Sequence, residues 1–204
     1  VVAAAIAIAI GLAVFGLLRY PGLRSGWWAA DVTVFLLALG VHGALGARLA
    51  LLGSPRARRI GLVAALPAAG MAAAAAESSG AVSYALALAV PALPAAAGWT
   101  ATRVEHRVGS GVVAAATACV LASLLTFSAF VIVTYIQNGA APTPALLAQF
   151  HHSDVRDYAT WAVGDNLGGA TFMLGFVLLL GASLGVGAAS VAPPRVSSPR
   201  RARS

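Results

Sequence analysis

Six apolar runs, each close to the length that crosses a bilayer, set the terms for everything else in this chain. They cover residues 1–18, 27–52, 60–76, 81–102, 111–137 and 168–192. Roughly 20 apolar residues in helix span about 30 Å of hydrocarbon. Backbone in lipid has no water to satisfy its N–H and C=O groups, which leaves helices and closed barrels as the available states. The runs lack the period-two alternation of barrel strands. The expectation is therefore an all-α, polytopic transmembrane helical bundle of about six spans. It forms a single domain over residues 1–192, followed by a basic, disordered cytoplasmic tail, 193–204.

Composition agrees. The chain is 60% hydrophobic and 9% charged, with a mean hydropathy of +0.88, whereas a soluble domain would be about a quarter charged. All 13 basic residues are Arg, which together with the heavy use of Ala, Gly, Val and Leu points to a GC-rich bacterial genome. The net charge of +7 does not imply nucleic acid, because the arginines sit in short clusters between apolar runs with no interleaved aromatics. Cys119 is alone, so it makes no internal disulfide and no paired-cysteine site; it reads as a small buried apolar residue. Residues 1–18 have no basic segment before the apolar run, and read as a span rather than a signal peptide.

Two runs are weaker than the rest. Residues 60–76 are mostly Ala and contain Pro67; residues 81–102 contain Pro91 and Pro94, which remove backbone donors and bend helices. Either both cross fully, or both dip in and return. The second case leaves four full spans and keeps the two termini on one side.

Arginine distribution sets orientation. Arg56, Arg58, Arg59, Arg103, Arg107, Arg195, Arg200, Arg201 and Arg203 fall in one set of connectors, and Arg19, Arg24 and Arg156 in the other. Asp154, Asp157 and Asp165 share the Arg-poor side. The expectation is a multi-pass protein of the bacterial plasma membrane with both termini cytoplasmic and the 138–167 loop outside. Trp27, Trp28 and Trp161 then sit near the outer interface and Trp99 near the inner one.

Few residues have chemical potential. His42 lies inside the second span, and Asp31 is eleven residues earlier, within about 20° of the same helix face. An ionisable group at that depth is costly, which makes the pair a candidate proton relay or polar path; alternatively, neutral His42 bonds a hydroxyl or carbonyl of a neighbouring helix. The fifth span carries Thr117, Ser123, Thr126, Ser128 and Thr134, which either bond carbonyls one turn back or line a path. Gly40, Gly43 and Gly46, and Gly181 with Gly185, form small-residue faces for packing inside the chain or for a homo-oligomer.

The outer segment holds His151, His152, Asp154, Arg156 and Asp157. Short interfacial helices are expected within 138–167: ALLAQF as one, and a second capped by Ser153 with Asp154 and Asp157 in its first turn. Asp165 and Asn166 are expected to cap the last span. His151, His152 and Asp154 are also a weak candidate metal set, less specific than a spaced metal motif. The lipase, Walker, zincin and paired-cysteine signatures are missing, so no catalytic residue and no cofactor is expected.

In topology alone, the six spans, cytoplasmic termini, basic first cytoplasmic loop and partly helical outer segment between spans five and six resemble the permease subunits of type-2 ABC exporters. That resemblance implies short re-entrant helices in the last outer segment and cytoplasmic loops that dock a separate ATPase. The leading expectation is a transport-type, permease-like or accessory membrane subunit, embedded in the lipid bilayer and acting with a partner docked at Arg56, Arg58 and Arg59. The alternatives are a membrane-embedded sensor or regulator that uses 138–167, and an intramembrane enzyme.

Overall fold

The computed structural model describes residues 1–24, 28–77, 90–139 and 141–192. Helix is the only regular structure among them: α1 (Val2–Arg19), a short 3-10 turn (Pro21–Arg24), α2 (Trp28–Leu52), α3 (Pro55–Glu77), α4 (Ala92–Glu105), α5 (Val108–Ile136), α6 (Pro144–His151) and α7 (Tyr158–Val191). Four helices are long and apolar enough to cross a membrane: α1, α2 from Asp31, α5 and α7. The two weak runs differ from these for separate reasons. α3 has the length but opens on the arginines of PRARR and continues largely as Ala. α4 has only 14 residues, about 21 Å of helix, too short to cross. The first part of the 81–102 run, residues 81–89, lies outside the described residues, as do Trp27 and the 193–204 tail.

α5 is the axis of the bundle. In its most apolar stretch 67% of residues are buried, against 17% in α1 and in α2. Its N-terminal half contains VVAAATACVLAS, and Ala114, Ala115, Ala118, Cys119 and Ala122 have no exposed surface. Lipid gives helices no hydrophobic incentive to associate, so close packing through small side chains must supply the attraction. A Cβ on Gly185 of α7 would overlap the Ala115 side chain, and one on Gly181 would lie 2.7 Å from Cys119 Sγ. The GxxxG of α7 is thus spent inside the chain, against α5 and Pro94 of α4.

Side-chain links sort the connectors to two ends. At one end Tyr20 donates to Asn138 Oδ1 at 2.9 Å, and Tyr135 donates to the Leu12 carbonyl at 2.8 Å. Asn138 at φ 52° and Gly139 at φ 86° turn the chain off α5 there. At the other end Glu105 receives two hydroxyls. Ser54 donates to its Oε1 at 2.5 Å and Ser110 to its Oε2 at 2.6 Å. Ser54 also accepts from Ala57 N at 3.0 Å, capping α3. One carboxylate therefore ties the starts of α3 and α5 together. The Ser110 hydroxyl first, and the Ser54 hydroxyl second, hold that carboxyl below the ordinary glutamate value.

The 138–167 segment departs from expectation. It contains one short helix, α6, whose Thr143 Oγ1 accepts from Leu146 N at 3.3 Å. No second short helix follows. Ser153 is not a cap: its hydroxyl donates to the Phe150 carbonyl at 2.7 Å. Asp157 caps α7 instead, accepting from Thr160 N at 2.8 Å. Asp165 and Asn166 consequently lie about two turns inside α7. The reason is that Thr160, Ala162, Val163 and Gly164 are buried, so the stretch that looked like loop carries a packed face and extends the helix.

Candidate functional site

Burial along α2 follows one face: Phe35, Leu39 and His42 are buried while Val34, Leu36, Leu37 and Val41 are exposed. His42 is 1% exposed, and so is Ser123 of α5. The imidazole Nδ1 lies 2.7 Å from the Ala38 carbonyl and Nε2 lies 2.8 Å from Ser123 Oγ. A carbonyl only accepts, so Nδ1 carries the hydrogen. In the neutral ring Nε2 is then an acceptor and takes the Ser123 hydroxyl hydrogen. Ser123 Oγ also lies 3.1 Å from the Val120 carbonyl. Were the ring to gain a second proton, Nε2–H would donate to Ser123 and the hydroxyl would turn to Val120. Every polar atom of the pair has a partner in either state.

Asp31 Oδ2 lies 3.9 Å from where a Gly168 Cβ would sit, against α7. Between Asp31 and His42 the face is filled by Phe35 and Leu39, with Phe35 stacked on Phe127 at 5.1 Å. Apolar packing separates the two groups that the helical period aligns.

Two cavities flank α5, and neither is lined by His42 or Ser123. The first, about 270 Å³, lies among α3, α4, α5 and α7 with Pro91, Pro94, Thr126, Phe127 and Phe176 in its wall. α4 starts beside it, with Pro91 at the N-cap position and no side-chain cap. Val90 packs with Leu121, Ala122 and Val177, near the midpoints of α5 and α7. α4 thus begins at mid-depth. Thr126, 7% exposed, has a buried Oγ1 with no partner. The second cavity, about 600 Å³, lies among α1, α2, α3 and α5, with Arg58 and Arg59 in its wall.

The candidate residues of the 138–167 segment are apart from these. His151, His152, Asp154 and Arg156 are exposed. His151 lies 5.5 Å from the Phe150 ring, beside a cluster of Phe150, Tyr158 and Trp161. Asp157 is occupied as a cap. Among the described residues no three His, Cys, Asp or Glu side chains are grouped to hold a metal ion. Of the α5 hydroxyls, Ser128 bonds one turn back to Leu124 at 2.9 Å. The partnerless hydroxyls of Thr117 and Thr126 carry no sequence signal, because their state depends on which neighbour faces them.

No protein-family model matches the chain, and no curated protein or solved structure matches it.

Proposed function

We propose that this chain is a transport-type, permease-like or accessory subunit of a bacterial plasma membrane, acting with a partner protein. Both termini are assigned to the cytoplasm, because the arginine-rich connectors share that side. The observation that carries the reading is α4. A half-length helix that begins at mid-depth, beside a cavity holding the partnerless Thr126 hydroxyl, is how transporters expose polar backbone and side chains to a solute inside the membrane. The wall is otherwise apolar, which suits an apolar or amphiphilic solute. The exposed Arg56 at the cytoplasmic end is assigned to partner docking.

Thiol accessibility tests this. In a Cys119→Ser background, Thr126→Cys is expected to react with a membrane-impermeant methanethiosulfonate in vesicles, while Ser123→Cys stays protected. Reaction only with a lipid-soluble maleimide would sink the transport reading.

A sensor that uses 138–167 is the second reading, favoured by the exposed His151 beside the Phe150 ring. It requires that replacing His151 and His152 together abolish a pH or metal response in a folded protein. An intramembrane enzyme needs polar groups from three helices in one cavity, and His42 with Ser123 supplies two, outside either cavity.

A further inference from the structure

The second cavity differs in kind from the first. Its wall is apolar along Ile6, Leu49, Leu62 and Leu121, while Arg58 and Arg59 stand on the first two turns of α3. It runs from Gly43 to Ala50 of α2, about 10 Å along the helix axis. Gly43 lines it on the α2 side, where a Cβ would be in ordinary contact with Ile6 Cδ1 at 3.7 Å.

Two of its polar atoms are buried without partners. Arg58 Nε is buried and makes no hydrogen bond. Thr117, which lines the same cavity and is 8% exposed, has a buried Oγ1 that likewise has none. They stand about one helical turn apart on the facing sides of α3 and α5: a Cβ on Gly61, three residues from Arg58, would lie 2.8 Å from Thr117 Cβ, and one on Gly53 would lie 3.2 Å from Arg58 Cγ and 2.5 Å from Val113 Cγ1. The nearby carboxylate, Glu105, is already engaged by Ser54 and Ser110. Buried donors without acceptors are costly in a folded protein, and most so where no water can substitute. Two guanidiniums and a hydroxyl at one end of an apolar groove are complementary to a molecule with an anionic head and a hydrocarbon tail.

We propose that this groove is a binding site for an anionic phospholipid, with the phosphate held by Arg58, Arg59 and Thr117 and one acyl chain lying on Ile6, Leu49, Leu62 and Leu121. Arginine suits the phosphate because its planar fork gives paired, charge-assisted hydrogen bonds. Basic pockets between transmembrane helices take anionic headgroups on the same grounds. The site stands independently of the transport reading: it lies on the opposite side of α5 from Thr126 and α4, and shares no lining residue with that cavity.

The test is native mass spectrometry of the full chain in mild detergent, titrated with phosphatidylglycerol or with phosphatidylcholine of the same acyl chains. Retention of one phosphatidylglycerol, about tenfold tighter than phosphatidylcholine, is expected. Arg58→Gln with Arg59→Gln is expected to erase that preference. Ala47→Phe keeps both arginines but fills the groove, and is expected to weaken binding of both lipids. Arg103→Gln, whose guanidinium lies over the Trp99 ring at 5.2 Å, is expected to change nothing. Melting curves establish that each variant is folded; if the arginine pair fails to fold, Thr117→Val with Ala47→Phe provides the readout. Equal retention of the two lipids, an unchanged preference in the arginine pair, or undiminished binding of both lipids in Ala47→Phe overturns the proposal. So does displacement of the lipid by millimolar inorganic phosphate, which would mark a soluble anion site, or recovery of a co-purifying protein in place of lipid.

Discussion

His42 Nε2 and Ser123 Oγ meet at 2.8 Å in the interior of the bundle, joining α2 to α5. α2 is otherwise a peripheral helix, with 17% of its apolar stretch buried, so this bond is its polar attachment to the axis.

Breaking the pair on one side leaves a buried donor or acceptor unmatched. Ser123→Ala is expected to lower stability by about 1–3 kcal/mol, against near neutrality for Ser183→Ala, an exposed serine that bonds only its own helix. A double-mutant cycle with His42→Leu isolates the bond itself. Hydrogen bonds between membrane helices couple by about 0.6 kcal/mol on average and up to about 1.7, and the unfolding midpoint in detergent should show coupling in that range. Zero coupling would mean that the two side chains are merely adjacent.

How far this site was legible can be argued from the same residues. Length and hydropathy alone place α1, α2, α5 and α7, because a span must be long and apolar whatever it packs against. Depth was also within reach: His42 lies 14 residues from the start of α2 at Trp28, and Ser123 lies 13 from the end of α5 at Ile136, both counted from the same end of the bundle. That count favours Ser123 over Ser128, yet it does not say that these faces meet. Meeting is decided by which small residues let the helices approach, a property of pairs that a single chain does not display. The start of α7 was missed for a different reason. Asp157, Asp165 and Asn166 are all good caps locally, and only the packing of Ala162 and Val163 shows which one is used.

Gly185 supplies a prediction about that packing. Leu in its place would drive a branched side chain into Ala115, which has no exposed surface to yield into. Overpacking of this kind typically costs about 1–3 kcal/mol, occasionally more, and Gly185→Leu should lower the melting temperature accordingly. Gly187→Leu is the control, since nothing lies within 4 Å of its Cβ position. If Gly187→Leu alters the oligomeric state in multi-angle light scattering and Gly185→Leu does not alter stability, the glycine face works between chains and not within one.

At the opposite end from Glu105, Tyr135 reaches over α1. Its hydroxyl donates to the Leu12 carbonyl at 2.8 Å, and its ring lies 5.3 Å from Phe15. The hydroxyl occupies the space that a Gly16 side chain would need. Tyr135→Phe keeps the ring and loses the bond, for an expected cost of about 1 kcal/mol. Gly16→Val should cost more, because it displaces ring and hydroxyl together. Hydrogen exchange in α1 is the measurement: faster exchange around Leu12 in both variants, greater in Gly16→Val, is the expected order, and the reverse order removes the link.

Glu105 gives the pH dependence. Its carboxyl is held below the ordinary glutamate value of 4.5 by the hydroxyls of Ser110 and Ser54, so the folded state favours the ionised form more than the unfolded state does. A group depressed in this direction contributes stability that is fully present above the unfolded value, and that contribution is lost as pH falls through the folded one. The wild-type chain should therefore lose stability on acidification from about pH 5. Glu105→Gln should flatten that part of the profile while lowering stability at neutral pH, where the charge-assisted bonds are made. Ser110→Ala removes the larger cause and should shift the acid limb toward the ordinary glutamate range; Ser54→Ala should do so less, but also weaken α3 by removing its cap. Melting temperatures of the three variants from pH 3 to 7 decide it. An acid limb that is unmoved in Glu105→Gln would assign the effect to another carboxylate and leave the bridge between α3 and α5 without an energetic role.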